Sequence, residues 1–518
     1  MSVASFQETV EAAGYAKVIV ALKAPVQAAT AATAGTGATA ATRASTMAAA
    51  ARGPAFTRSA AASHARSVAQ ALGNHFIFPN QVEVPRAATA AAGSRIGLSL
   101  RSGGQLSARP APQTPRVRVF PRLGLALGYV NMSGAVALEA DERVYAVHKA
   151  PVLSLIRPTN VKLVTPKRAV TWGITRLGVE RLWDAGYTGK GVIVGHLDTG
   201  VDGSHPALQD AISAFAEFDM SGNMVPNAKA HDSDQHGTHT AGTIAGRTTS
   251  KGTFGIAPGA QLACGMVIEG GQVIDRILAG MEWLIEQKCR ILSMSLGLRD
   301  FTPAFQAVID GLRAAGILPV IAVGNEGPDT SRSPGNYANV LSVGALDRGD
   351  IVADFSSSQK FNRAEDPLVP DLVAPGVGVL SCIPNGRYAE MDGSSMATPH
   401  MAGLAALLFQ AKPNATIDEV ERAILGSCQR PAGMIADRGN RGVPDAVRAF
   451  ELLTGTQLPA AAAAAAAPRR QRRAKVARRA QAGRHRSAPT GPKKQNRVAA
   501  GKRKRSSPGG KKRRAVRR

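Results

Sequence analysis

A chain of 518 residues, 44% of them hydrophobic, is long enough for more than one domain and rich enough in apolar side chains to bury a large core. Four cysteines exclude a disulfide-held scaffold, and no segment combines the length and hydrophobicity of a membrane span. The formal charge of +26 belongs to no single region: residues 1–170 carry +13, residues 171–457 carry −9 and residues 458–518 carry +22.

In chain order, the start MSVASFQETVEAAGYAK lacks a basic stretch followed by an apolar core, so it does not read as a secretory signal. AKVIVALKAP (16–25) reads as a strand, and residues 26–58 look like an Ala/Thr/Gly-rich low-complexity insertion. A helix is expected near 59–73, two strands within 116–137, a short helix at Glu139–Arg143 and a last strand at 144–151. The order is βαββαβ, and residues 157–170 follow it as a linker.

The chemistry-bearing motifs lie further on. In GVIVGHLDTGVDGSHP the apolar run Val192–Leu197 reads as a buried parallel strand that delivers Asp198 at its carboxyl end, where active residues of open α/β sheets sit. In DQHGTHTAGTIAG a small-residue helix begins at His236 after a polar loop. GILPVIAVGNEGP runs from another apolar strand into Asn325, whose side-chain amide can donate to a developing oxyanion. GSSMATPH (393–400) places Ser395 at the mouth of a helix, because the Pro399 ring is tolerated only within the first turn. Further strands are expected near 291–296, 317–323 and 340–345, and Thr416 with Glu419 makes a capping box for a helix at 417–427.

Taken singly, Asp198 reads as a strand-end cap, His236 as a packed histidine and Ser395 as a helix cap. Together they are a carboxylate, a base and a hydroxyl nucleophile, with an oxyanion donor at Asn325. Their contexts, DTGV, HGTHTAG, AVGNEG and GSSMATPHMAG in the order Asp, His, Ser, resemble those of the subtilisin-like serine peptidases, the subtilases (peptidase family S8). SMSLG (293–297), SPGNYANVLSVGA (333–345) and VAPGVGV (373–379) extend the resemblance over roughly residues 171–450.

The resemblance implies a three-layer α/β/α fold with a mostly parallel sheet over residues 171–457. It implies a serine endopeptidase in which Asp198 orients His236, His236 takes the Ser395 proton, and Asn325 meets the oxyanion. Ser295, Leu296 and Gly297 would pair with an extended substrate, with Gly324 near the pocket for the residue before the cut. His239 and His400 have packing roles. Catalysis of this kind requires no cofactor. Structural calcium occurs in the family, and Asp219, Asp232 and Asp234 make the 219–234 loop acidic without a ligand spacing, so a solvated loop is expected.

Residues 1–156 resemble the small α+β, ferredoxin-like propeptide of subtilases, which inhibits its own enzyme. Self-cleavage is expected between Ile156 and Thr171, before the family-like TWGIT. The tail 458–518 contains no acidic and no aromatic residue, so disorder is expected, and it reads as a solvated tail, as a sequence-indifferent contact to nucleic acid or another polyanion, or as a contact to the acidic catalytic region. Cys264, Cys289, Cys382 and Cys428 read as reduced, packed thiols, which with the missing signal leans towards a cytoplasmic enzyme, against the secreted habit of the family. Two other classes fit parts of the chain: a catalytically silent binding scaffold, and a nucleic-acid-associated protein whose protease fold is secondary.

Overall fold

The computed structural model describes residues 9–23, 58–78, 116–167, 170–268, 273–364 and 366–458. The low-complexity insertion and the basic tail, apart from their boundary residues 58 and 458, lie outside the described residues.

The N-terminal part builds the expected βαββαβ order as a four-stranded sheet. The strand Ala16–Leu22 sits between Leu125–Val130 and Val144–Lys149, and Val117–Phe120 lies outside Leu125–Val130. All pairs are antiparallel, with Val18 opposite Gly128 and Lys149. Strand alternation sends the side chains to two different places. Val18, Val20, Ala126 and Val130 pack on Val68, Ala69 and Leu72 of the helix Arg58–Ala71 and its end, and on Ala135 and Leu138 of the helix Met132–Ala140. Ile19, Ala21, Leu125 and Leu127 join a cluster that also holds Leu278, Val308, Ile309 and Leu312.

The second helix of this part spans Met132–Ala140 and not Glu139–Arg143. Asn131 caps it by accepting the Gly134 N–H at 2.9 Å, while Asp141 accepts the Arg143 N–H at 2.9 Å and closes a turn where the helix was expected to begin.

The central sheet has seven strands in the order Leu372–Pro375, Leu341–Leu346, Leu318–Ala322, Ile291–Met294, Ile193–Asp198, Gln261–Met266 and Ile212–Glu217, every neighbour parallel. All but the edge strand Ile212–Glu217 are apolar and buried on both faces, as a parallel sheet requires. Helices His236–Ala245 and Ser394–Ala411 pack on one face, the latter covered in turn by Ile417–Ser427 and Ala446–Thr454. Ile274–Glu286 and Gln306–Ala314 cover the other. The fold is a three-layer α/β/α sandwich, and the Thr416–Glu419 capping box is formed.

The N-terminal sheet docks on the second pair of helices. Glu282 accepts the N–H groups of Arg122 at 2.9 Å and Leu123 at 3.1 Å, Arg122 also pairs with Glu286 at 2.6 Å, and Lys17 pairs with Asp275. The chain then crosses the sheet's carboxyl edge. Ser154–Leu155 pairs antiparallel with Leu296–Arg299, and Asn160–Val164 pairs antiparallel with Arg387–Asp392. Part of the expected linker is therefore a strand, because the exposed edge of the 379–392 hairpin offers it unpaired backbone groups.

Candidate active site

Asp198 ends the strand Ile193–Asp198, His236 opens the helix His236–Ala245, and Ser395 is the second residue of the helix Ser394–Ala411. All three are at most 2% exposed. Three loops converge because a parallel sheet delivers its strand ends and the following helix starts to one edge.

His236 Nδ1 lies 2.7 Å from Asp198 Oδ1. A carboxylate only accepts, so Nδ1 carries the proton and the neutral ring keeps a lone pair on Nε2. Nε2 is buried and has no hydrogen-bond partner among the described residues. Burial pushes the Asp198 carboxyl up and the His236 imidazole down, but their mutual attraction outweighs it and holds Asp198 below its usual range and His236 above 6.5. The pair is thus arranged to accept a proton and to keep the resulting imidazolium.

Asp198 is held from behind. Its Oδ1 also accepts the Thr199 N–H at 2.8 Å, and Thr240 Oγ1 lies 3.4 Å from its Oδ2. Thr240 Oγ1 is in turn 2.8 Å from Nε2 of the buried His196, whose Nδ1 has no partner among the described residues. An N–H left unpaired in the interior costs more than a lone pair, so Nε2 carries the His196 proton and donates to Thr240. Asp232 accepts from Thr199 Oγ1 and the Thr238 N–H, both at 2.7 Å, and so ties the start of the His236 helix to the end of the Asp198 strand.

Asn325 Oδ1 accepts both the N–H and the hydroxyl of Ser394 at 2.8 Å, which fixes its amide and aims Nδ2 away. Nδ2 donates to Arg157 O at 2.9 Å. The Ser395 hydroxyl donates to Ile156 O at 2.6 Å. Ile156 N–H donates to Ser295 O at 3.0 Å, with Leu155 opposite Leu296 and Ser154 opposite Gly297. Gly324 has φ +126°, and a Cβ there would lie 2.8 Å from Glu326 Oε2 and Ser357 Oγ, so only glycine fits.

Pro399 is the sixth residue of its helix, in the second turn and not the first. The carbonyl its missing N–H leaves free, Ser395 O, is met by Ser295 Oγ at 3.5 Å.

The structure therefore brings Ser395, Asn325, Ser295, Leu296 and Gly297 onto one stretch of backbone, Ser154–Arg157, and joins Asp198 to His236 at the start of a helix that packs on the helix of Ser395. His239 and His400 lie deeper. His239 Nε2 sits 3.0 Å from Val379 O and His400 Nδ1 2.8 Å from Met396 O, and burial pushes their pKa values down to about 3 and about 4, so both rings are neutral. His196, Thr240 and Asp232 were missed by sequence reasoning. Only His196 left a signal: it stands two residues before Asp198 in one strand and so shares its face.

Asp219 accepts the N–H groups of Ser221 and Asn223, and Asp232 is engaged as described. Among the described residues no group of three His, Cys, Asp or Glu side chains is placed to hold a metal, and no helix is long and apolar enough to cross a membrane. The four cysteines are free thiols, three buried and Cys428 half-buried.

This arrangement, on a seven-stranded parallel sheet, defines a class, and comparison with known proteins agrees: the chain belongs to the subtilase family, whose model matches residues 189–449. It is 36% identical over 278 residues to M-protease of Shouchella clausii (strain KSM-K16), covering 53% of this chain and 68% of that one. It is 35% identical over 301 residues to subtilisin E of Bacillus subtilis (strain 168), covering 56% and 74%, and 37% identical over 250 residues to subtilisin BL of Lederbergia lenta, covering 48% and 87%. The protein is a serine endopeptidase acting on protein substrates, and such catalysis needs no cofactor.

Proposed function

We propose that Ser395 is the nucleophile, His236 the general base, Asp198 its orienting acid and Asn325 the oxyanion donor, and that the chain is a zymogen whose first target is its own Ile156–Arg157 bond. The supporting observation is the contact of the Ser395 hydroxyl with Ile156 O, in a segment held on Ser295–Gly297 as an added strand.

In this reading His236 Nε2 takes the Ser395 proton as Oγ attacks the Ile156 carbonyl carbon. The peptide plane turns so that the new oxyanion faces Asn325 Nδ2 and the Ser395 N–H, at the start of a helix whose dipole favours negative charge. His236 then protonates the Arg157 nitrogen as the C–N bond breaks, and water resolves the acyl-enzyme by the same steps. Gly324 shapes the pocket for the residue before the cut.

Residues 1–156 act as inhibitor as well as substrate, since Leu153–Ile156 occupies the strand-binding edge. The tail's +22 charge supports salt-sensitive contact with a polyanion. Calcium has no part in this reading, because the Asp219 and Asp232 carboxylates are taken by the chain's own donors.

Intact-mass analysis of wild type and Ser395→Ala, with casein hydrolysis measured in parallel, tests the proposal. Wild type should yield fragments ending at Ile156 and beginning at Arg157. The variant should stay whole and lose about a millionfold in kcat, the figure known from another enzyme of this family. An uncut wild type that digests casein would sink the zymogen reading, and a fully active Ser395→Ala would sink the triad.

A further inference from the structure

Alternation along Leu153–Ile156 separates its side chains into two sets. Leu153 and Leu155 enter the apolar cluster that contains Leu296. Ser154 and Ile156 face the other way, and on that side stands Arg332 of the short strand Arg332–Ser333, which borders Leu296–Arg299. Arg332 Nη1 donates to Ser154 Oγ at 3.0 Å and to Gly297 O at 3.2 Å.

The guanidinium is already fixed from below. Its Nε donates to Glu326 Oε1 at 3.0 Å and Nη2 to the same oxygen. Arg299 Nε lies 3.6 Å from that carboxylate, so two guanidinium groups face one carboxylate and one net positive charge remains beside Ser154. The side chain of Arg332 is 10% exposed and that of Glu326 18%, so the fork is held before any substrate arrives and little rotamer freedom is lost on binding. A Cβ at residue 297 would lie 2.9 Å from Arg332 Cβ, so Gly297 is what lets the arginine come so close to the bound strand.

Once Ser154 leaves, Arg332 Nη1 points at the side chain two positions before the attacked residue. We propose that Arg332 is a specificity-determining residue that selects peptides carrying a hydrogen-bond acceptor, a hydroxyl or a carboxylate, at that position. This rests on the reading of Leu153–Ile156 as a bound substrate strand. A neutral apolar side chain there forgoes a charge-assisted hydrogen bond, and a lysine meets like charge.

The test uses the enzyme matured from the full chain and internally quenched peptides built on Leu-Xaa-Leu-Ile-Arg, with Xaa as Ser, Glu, Ala or Lys. Within wild type, kcat/KM for Ser and Glu should exceed Ala by about tenfold, and Lys should fall below Ala. In Arg332→Met/Glu326→Gln, which removes both charges together, the four values should lie within about twofold of one another. Arg332→Lys should keep Glu above Lys and lose the preference for Ser over Ala, so that the proposal is decided even where the double variant does not fold. A flat wild-type series, or a series that survives in the double variant, overturns the role of Arg332. Cleavage anywhere other than the Ile-Arg bond instead overturns the substrate-strand reading beneath it.

Discussion

The two sheets of this molecule solve the same burial problem in opposite ways. The seven-stranded sheet carries helices of its own segment on both faces, and its strands are largely buried apart from the edge strand Ile212–Glu217. The four-stranded sheet carries its own helices on one face only. Its other face, with Ile19, Ala21, Leu125 and Leu127, is completed by helices Ile274–Glu286 and Gln306–Ala314 of its neighbour. One region owns its core and the other borrows half of one. A domain built that way has its structure tied to its partner's surface, which supports the proposal that residues 1–156 cover the enzyme until they are cut away.

That contrast can be broken most directly by separation. Residues 1–156 expressed alone should show no cooperative thermal transition by circular dichroism, because the small domain then exposes its second apolar face to water. A sharp, reversible melt for the isolated segment would show that it owns its core after all.

A smaller effect should come from the polar half of the shared face. Glu282 collects three backbone contacts from Arg122 and Leu123 inside the interface. Glu282→Ala leaves those N–H groups unpaired, and docking should weaken by about 1–3 kcal/mol. Faster clearance of the N-terminal fragment after self-cleavage, followed by gel, is the measurement, and an unchanged time course would remove Glu282 from the interface energetics.

The smallest effect is a shift confined to the self-sufficient region. In the proposed mechanism His236 must be neutral to act as base, and Asp198 raises its pKa above 6.5. The acid limb of kcat/KM should therefore fall away on acidification with a midpoint above 6.5, and the same limb should appear in Glu282→Ala, since the pair lies wholly within the larger region. A midpoint below 6.5 would mean that burial outweighs the Asp198 charge.

Legibility in the sequence followed the locality of the signal. Long apolar runs such as Val192–Leu197, a capping box at Thr416 and the βαββαβ order are local patterns, and they reappear in the structure with boundaries moved by up to three residues, apart from the helix expected at Glu139–Arg143. The helix placed at Glu139–Arg143 was misjudged because Asn131 and Asp141 compete for cap and turn, and only their backbone partners distinguish them. Pro399 lies beyond the first turn because the carbonyl freed by its missing N–H is met by Ser295, which stands between the strands Ile291–Met294 and Leu296–Arg299.

By itself the sequence determined the family and the class of reaction, since the patterns around Asp198, His236, Asn325 and Ser395, the residues proposed to carry the chemistry, are local ones. Tertiary structure decided what reaches that edge. The contact between the Ser395 hydroxyl and Ile156 O joins residues 239 apart in the chain, and the one between Arg332 and the Ser154 hydroxyl joins residues 178 apart. No local periodicity encodes such contacts, because they depend on how a whole domain docks. The same holds for His196 behind Asp198: its strand placement was written in the chain, but its proton-bearing nitrogen was set by Thr240 on a helix that only folding brings near.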